Sequence, residues 1–519
     1  MRTPDERHHW RDRLFSGPAI VGAIALAKLV LHLATANMYG LFVDELYFLA
    51  CGEHLAWGYV DMPPLTALQA WLARALFGDS MLAIRLLPAL AGAGLVLLAG
   101  ALARELGGGR LAQILAALGV LVAPIHLFAS TYLSMNSIEP LVWTGCALVL
   151  LRLVRTGNPR LWPWFGLIAG IGLMNKHTML MFGFALLLGL LLVPERRLIF
   201  NRWFLFAGGI AFLVFLPNLL WMIRHDFPML ELLANIRRNQ RNVALNPLQF
   251  MVQQSVFIMH PLALPLWAGG LAAFLFLKRL RFARWLGLAY LATLAILLLT
   301  DGRVYYLAPV YPMLLAGGGV ALEGWLARPG WRWAARAYPI LLAAGGAVLA
   351  PLAMPLLSPE KYLSYTHLIG FDQPRIEHRQ SSALPQLFAD RFGWPELAAA
   401  TARVYHALPP EERARAAIYG NDYGQAGAID FYGPALGLPK AIAAHQNYWY
   451  WGPRQYTGEI VIVLGEDNPE DLRRQFDSVT PAGRVGHPYA MRSQHFTIYV
   501  CRGLRRPLAE LWPEIKNWS

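Results

Sequence analysis

The sequence predicts a polytopic α-helical membrane protein of about eleven spans, followed by a C-terminal α/β domain outside the cytoplasm. Three observations predict it. The 519 residues are 56% hydrophobic and only 15% charged, against about 25% charged in soluble domains. The apolar residues cluster between Ser16 and Leu357 in runs of about 17–25, the length that crosses a bilayer core. After Ser358 the chain turns to charges, Gly-Pro turns and short alternating segments. A boundary there divides a membrane domain, 1–357, with a first outer loop over 39–80, from a soluble domain, 358–519.

The spans lie near 16–38, 81–101, 111–128, 138–151, 161–174, 178–193, 203–223, 257–277, 285–300, 304–322 and 338–357, the fourth to sixth being short. Arg2, Arg7, Arg11 and Arg13 precede the first run, and Ala34-Thr35-Ala36 after it mimics a cleavage site. The run is long for a signal peptide, so it reads as an uncleaved span. With the N-terminus cytoplasmic, the cytoplasmic loops collect Arg104 and Arg110; Arg152, Arg155 and Arg160; Arg196, Arg197 and Arg202; Lys278, Arg279, Arg281 and Arg284; and Arg328, Arg332 and Arg336. This is the positive-inside pattern. It explains the net charge of +13 as a topology signal, and no nucleic-acid partner is expected. The same sidedness puts the loop 39–80, the loop 224–249 and the tail outside.

In the first outer loop, Pro63-Pro64 precedes Leu65, Leu68, Trp71, Leu72, Leu76 and Phe77, a helical apolar stripe expected to lie in the membrane interface. In the tail, 384–408 reads as mostly helical, and 415–419, 459–464 and 495–501 read as strands. The aromatic stretch 447–456 offers Trp449, Tyr450 and Trp451 either to an acceptor sugar or to packing. Cys51, Cys146 and Cys501 form no metal-binding or disulfide pattern, although the sidedness allows a bridge from Cys51 to Cys501.

Ionisable residues collect at the outer rim. Asp44-Glu45 follows the first span, and Asp61 lies between Tyr59 and the Pro-Pro turn. Transfer to a weak nucleophile needs a general base, and a second carboxylate can orient the acceptor or hold a metal. Glu139 opens the fourth span, where ionisable groups are usually paired or functional. Lys176, in Asn175-Lys176-His177, breaks the charge bias and suits a phosphate. His225, Arg237, Arg238 and Arg241 make the outer loop 224–249 basic against the rule, which favours an anionic ligand. Tyr305 and Tyr306 begin the tenth span. A divalent ion on Asp61 and His225 is a further candidate; no other cofactor is expected. No Walker A or Gly-x-Gly-x-x-Gly motif is present, which disfavours nucleotide-driven chemistry.

The order Asp44-Glu45-x-Tyr47, Gly58-Tyr59-x-Asp61-x-Pro63-Pro64-Leu65, Phe77-Gly78 and Arg85-Leu86 resembles the first-loop signature of the GT-C glycosyltransferases of family 39 type. These are the protein O-mannosyltransferases and their relatives, including the aminoarabinose and galacturonic acid transferases of lipid A. Gly170-Ile171-Gly172-Leu173 with Asn175-Lys176, and Asp301-Gly302-Arg303 with Tyr305-Tyr306-Leu307-x-Pro309-x-Tyr311-Pro312, are similar to later motifs of that family. The resemblance covers roughly 15–325. It implies inverting transfer of a sugar from a polyprenyl-phosphate donor to an envelope glycolipid or protein acceptor, at the periplasmic face of a bacterial inner membrane. It places Asp44 as the family's essential first-loop Asp, Asp61 and Glu139 at its further acidic positions, and Lys176 near the donor phosphate. Glu45 joins Asp44 and Asp61 as the catalytic carboxylates, Tyr59, Tyr305 and Tyr306 support the site, and His225, Arg237, Arg238 and Arg241 join the phosphate contacts. One departure is Met62, where the lipid A transferases carry Lys before Pro-Pro.

Three other readings compete. A secondary transporter or flippase would use ionisable groups deep in the spans, for which Lys28 and His32 are the candidates. A glycan ligase or polymerase would apply the same lipid chemistry to another acceptor. An inert anchor for the tail would have no use for ordered rim carboxylates.

Overall fold

The structure, a computed structural model, describes residues 16–239, 245–371, 382–466 and 468–518. The chain forms two compact units. The first joins the N-terminal segment to Ala36 with Leu82–Leu220 and Ala244–Leu356; the second joins Asn37–Met81, Trp221–Val243 and Leu357–Ser519.

The first unit is helical, as its apolar runs require. Ser16 starts it: its side chain accepts the Ala19 N–H, and Gly17-Pro18 open the helix Gly17–Ala34. Among the described residues, seven helices are long and apolar enough to cross a membrane: Gly17–Ala34, Met81–Glu105, Met135–Thr156, Arg202–Arg224, Lys278–Leu299, Val304–Leu326 and Pro329–Ala353. The pair Pro247–Ile258 and Pro261–Phe276 is bent by 106°. All the expected spans are helical, but not all are full-length crossings. The third is a 13-residue helix, Arg110–Val122, stopped before Pro124. The fifth and sixth, Trp162–Asn175 and Thr178–Leu191, have 14 residues each and part at Lys176-His177. The fourth, expected to be short, runs 22 residues, because Glu139, Pro140 and Arg152 interrupt its apolar run without ending its helix.

Lys28 and His32 meet the break before Pro124. The Lys28 ammonium donates to His126 O at 3.0 Å, and His32 Nε2 lies 3.0 Å from Leu127 O. Both side chains are buried, and unpaired carbonyls in a membrane bundle are costly. The two residues that a transporter reading relies on are therefore engaged in closing a helix break.

In the second unit, a mixed sheet has the order β1-β2-β4-β3, with β1 Ala416–Gly420, β2 Ile460–Leu464, β3 Phe476–Val485 and β4 Phe496–Leu504. β1 runs parallel to β2, while β2–β4 and β3–β4 are antiparallel. Three of these strands answer the expected ones. β3 is additional, with its register shifted between Pro481 and Gly483. The helices Trp394–Ala407 and Tyr423–Tyr432 complete the α/β part.

The first-loop segment forms two helices, Val43–Glu53 and Leu65–Phe77. Leu65–Phe77 turns Thr66, Gln69 and three alanines inward and leaves Leu68, Trp71, Leu72, Leu76 and Phe77 exposed. That apolar outer face suits an interfacial helix. Val43–Glu53 is the opposite, with nine of its 11 residues buried. Each large apolar side chain so buried contributes about 1.5–3 kcal/mol. All three cysteines are free and buried, so the Cys51–Cys501 bridge does not form.

Candidate active site

In the second unit, the Val43–Glu53 helix is entered through Phe42, whose backbone N–H donates to Glu45 Oε2 at 2.9 Å. Glu45 is fully buried. It satisfies an otherwise orphaned group of the first turn and places its charge at the positive end of the helix. Asp44, one residue earlier, has a different environment. From 41 to 52 every residue is buried except Asp44. Its Oδ1 accepts the Tyr423 hydroxyl at 2.8 Å.

Asp61 repeats the pattern. From 58 to 64 it alone is not buried, and its Oδ1 accepts the Tyr47 hydroxyl at 2.9 Å. Burial, reinforced by the Asp61 charge, holds the Tyr47 phenol well above its ordinary range, so it stays a donor at neutral pH. The Tyr47 and Tyr423 rings lie 4.9 Å apart, joining the two tyrosine–carboxylate pairs.

Tyr59, expected to support the site, is wholly buried. Its hydroxyl faces Cys51 O and His54 O at 3.1 Å and accepts the Ala56 N–H at 3.0 Å, which fixes the turn ahead of Asp61. Asn447 Oδ1 accepts the Val60 N–H at 3.1 Å and steadies the same turn. Met62 is also fully buried, so a solvated cation is not accommodated where the lipid A transferases carry Lys.

His225 stacks on Trp221 with centroids 4.0 Å apart and meets the Tyr450 ring at 5.1 Å. Trp449 and Trp512 each donate an indole N–H to the other's carbonyl at 2.9 Å, and Trp451 stacks on His54 at 4.4 Å. These contacts favour packing for the aromatic stretch. Arg237 and Arg238 are exposed in the last turn of Pro228–Arg238, where cations complement the helix dipole. Arg241 lies outside the described residues. Among the described residues, no three His, Cys, Asp or Glu side chains are grouped to hold a metal ion.

In the first unit, Lys176 caps the Trp162–Asn175 helix. Its ammonium donates to Glu139 Oε2 at 2.8 Å and to Asn136 Oδ1 at 2.9 Å. The Thr178 hydroxyl donates to the other Glu139 oxygen. The Glu139 and Lys176 side chains are only 4% and 13% exposed. The Tyr306 and Tyr305 rings lie 4.5 and 5.6 Å from the ammonium, a favourable cation–π geometry. Gln254 holds the tyrosine segment: its Nε2 donates to Val304 O at 2.6 Å, and its Oε1 accepts the Tyr311 hydroxyl at 3.0 Å.

Sequence reasoning named Glu139, Lys176, Tyr305 and Tyr306, and the structure brings them together. It missed Asn136 and Thr178, whose only signal is proximity to those motifs, and Gln254, which stands 50 residues from Val304 and has no local signal. It also missed Tyr423, for which no local signal exists.

Residues 61–221 match the family described as dolichyl-phosphate-mannose-protein mannosyltransferase. No curated protein sequence matches. Among solved structures, ArnT from Cupriavidus metallidurans bound to undecaprenyl phosphate is 17% identical with a TM-score of 0.58, covering 93% of this chain and 97% of that one. The same protein in the apo state is 16% identical with a TM-score of 0.59, covering 92% and 97%. The arabinofuranosyltransferase AftD from Mycobacteria is 13% identical with a TM-score of 0.53, covering 93% of this chain and 40% of that one. The resemblance first carried by the loop motifs is thus borne out: the chain has the fold of the GT-C glycosyltransferases.

Proposed function

We propose that this protein is an inverting glycosyltransferase. It moves a sugar from a polyprenyl-phosphate donor to an envelope glycolipid or protein acceptor at the extracytoplasmic face of a bacterial inner membrane. The observation that carries the reading is the pair Asp44 and Asp61, each the one half-buried residue of an otherwise buried stretch and each held by a tyrosine hydroxyl. The match to an undecaprenyl-phosphate-bound ArnT supports the donor class.

In this reading Asp44 takes the proton of the acceptor hydroxyl or amine as it attacks the anomeric carbon. Asp61 orients the acceptor. The bond from the anomeric carbon to the lipid phosphate breaks, and its electron pair leaves with the phosphate oxygen. That leaving group is already a stable anion and needs a cation more than an acid. Lys176 supplies it. An ammonium has three donor directions, of which Glu139 and Asn136 take two. Arg237, Arg238 and Arg241 attract the anionic donor, and Glu45 and Tyr59 keep the first loop in shape.

The test uses full-length protein in membranes of a deletion strain. The membranes receive a panel of undecaprenyl-phosphate-linked hexoses, pentoses and aminopentoses, and released undecaprenyl phosphate is measured. The wild type should release it from at least one donor, and Asp44→Asn should not. Mass spectrometry of envelope lipids and glycoproteins from the parent and deletion strains then identifies the acceptor, including the glycan chain that a ligase would use. Full activity in Asp44→Asn, or no release by the wild type, would sink the proposal.

A further inference from the structure

Tyr423 lies 379 residues from Asp44 in sequence, in a helix that none of the recognised motifs includes. Its hydroxyl nevertheless donates to Asp44 Oδ1 at 2.8 Å. The local sequence is built for this approach. Asp422 caps the helix by accepting the Gln425 N–H at 2.8 Å, which fixes Tyr423 in the first turn. Gly424 and Gly427 then let this helix sit directly on Val43–Glu53. A Cβ at Gly424 would come within 2.5 Å of Val43 Cγ2, and one at Gly427 within 2.9 Å of the Leu46 backbone. No larger residue fits at either position without moving the helices apart.

The ring itself is held by two aromatic neighbours. It lies 4.9 Å from the Tyr47 ring and 4.8 Å from the His445 ring, against which it stacks at 27°. His445 Nδ1 also accepts the Tyr423 backbone N–H at 3.3 Å. A ring held in this way presents its hydroxyl in one direction, so the hydrogen bond to Asp44 costs little further ordering.

We infer that Tyr423 is a positioning residue for Asp44, supplied by the C-terminal part of the chain to the acceptor half of the reaction. The inference rests on the reading of Asp44 as the acceptor's base. A hydrogen bond to a carboxylate is charge-assisted and directional. It fixes the carboxyl plane, and with it the direction from which Asp44 can take a proton. The C-terminal part therefore contributes to turnover, beyond any role in binding the acceptor.

The variant Tyr423→Phe keeps the ring and both stacking contacts and removes only the hydroxyl. In the undecaprenyl phosphate release assay, on the donor that the wild type turns over, kcat should fall about 10- to 100-fold, the range expected for one hydrogen bond to a charged group. The donor KM should stay within about twofold. The thermal midpoint in detergent should fall by a few degrees at most, whereas a purely structural tyrosine would lower the midpoint and leave kcat per folded molecule unchanged. Wild-type kcat in Tyr423→Phe, alongside an inactive Asp44→Asn, would overturn this inference and leave the function standing. A lowered kcat that is explained by the loss of folded protein would also overturn it. No release by the wild type, or full activity in Asp44→Asn, would overturn both.

Discussion

Lys176 and Glu139 form an ion pair at 2.8 Å with almost no solvent access. Neither charge can be removed alone without leaving the other unpaired in a dry setting, which costs about 3–5 kcal/mol for a buried pair. Glu139→Ala and Lys176→Met are each expected to lower the thermal midpoint of the purified protein by several degrees. The double variant should recover part of that loss while remaining unable to release undecaprenyl phosphate. Additive losses in the double variant would show that the two charges do not stabilise one another.

Arg237 and Arg238 are exposed on the last turn of their helix. Replacing both by Ala is expected to raise the donor concentration needed for half-maximal release several-fold, with kcat unchanged. The shift should fade as salt is raised, because exposed charges act through a screened field. A donor dependence equal to the wild type at low salt would remove both arginines from the donor's path.

Asp430 is 4% exposed, and burial raises its carboxyl from 3.8 to about 6 against the pull of Lys440, the Ala441 N–H, Tyr448 and Arg454. The folded state therefore holds this proton more tightly than the unfolded chain. The resulting stabilisation is complete below about pH 4 and is lost as pH rises through about 6, a span of roughly 2–3 kcal/mol. Asp430→Asn keeps the shape and removes the titration. The wild type should lose more thermal stability than Asp430→Asn between pH 5 and 7.5, and parallel losses would refute the assignment.

The tail is expected outside the cytoplasm. A cysteine at Asp467 would report on this, but that residue lies outside the described ones; Ser478, exposed on β3, serves instead. The native cysteines are all buried, so background labelling should be low. Ser478→Cys should react with a membrane-impermeant maleimide in intact spheroplasts. Labelling that appears only after lysis would reverse the topology and, with it, the outward placement of Asp44.

Much of this architecture is legible in the sequence because its causes are local. Apolar runs mark the helices, and Asp44, Asp61 and Lys176 stand in short ordered motifs. What escaped has a physical reason in each case. β3 carries Pro481 and Gly483 at a register shift, which break the alternation that marks a strand. The Tyr423–Tyr432 helix is rich in Gly and Ala, so it shows little apolar periodicity. The fourth span looks short in the sequence because Glu139 and Arg152 end its apolar run but not its hydrogen bonding. The partnership of Asp44 with Tyr423 follows from the packing of two distant helices, and no window along the chain contains both.

That distance has a consequence for how the protein is made. The helix Val43–Glu53 emerges from the ribosome 379 residues before the tyrosine that will meet Asp44. At about 5–20 residues per second, it waits ~20–80 s for its partner. During that interval Leu46 and Tyr47, buried in the finished fold beside Gly427 and Tyr423, have no tail to cover them. The nascent chain must shelter this face against lipid or a chaperone until synthesis is nearly complete. A chain cut after 357 would leave it bare for good, so tail truncations should end in proteolysis before they yield a minimal enzyme.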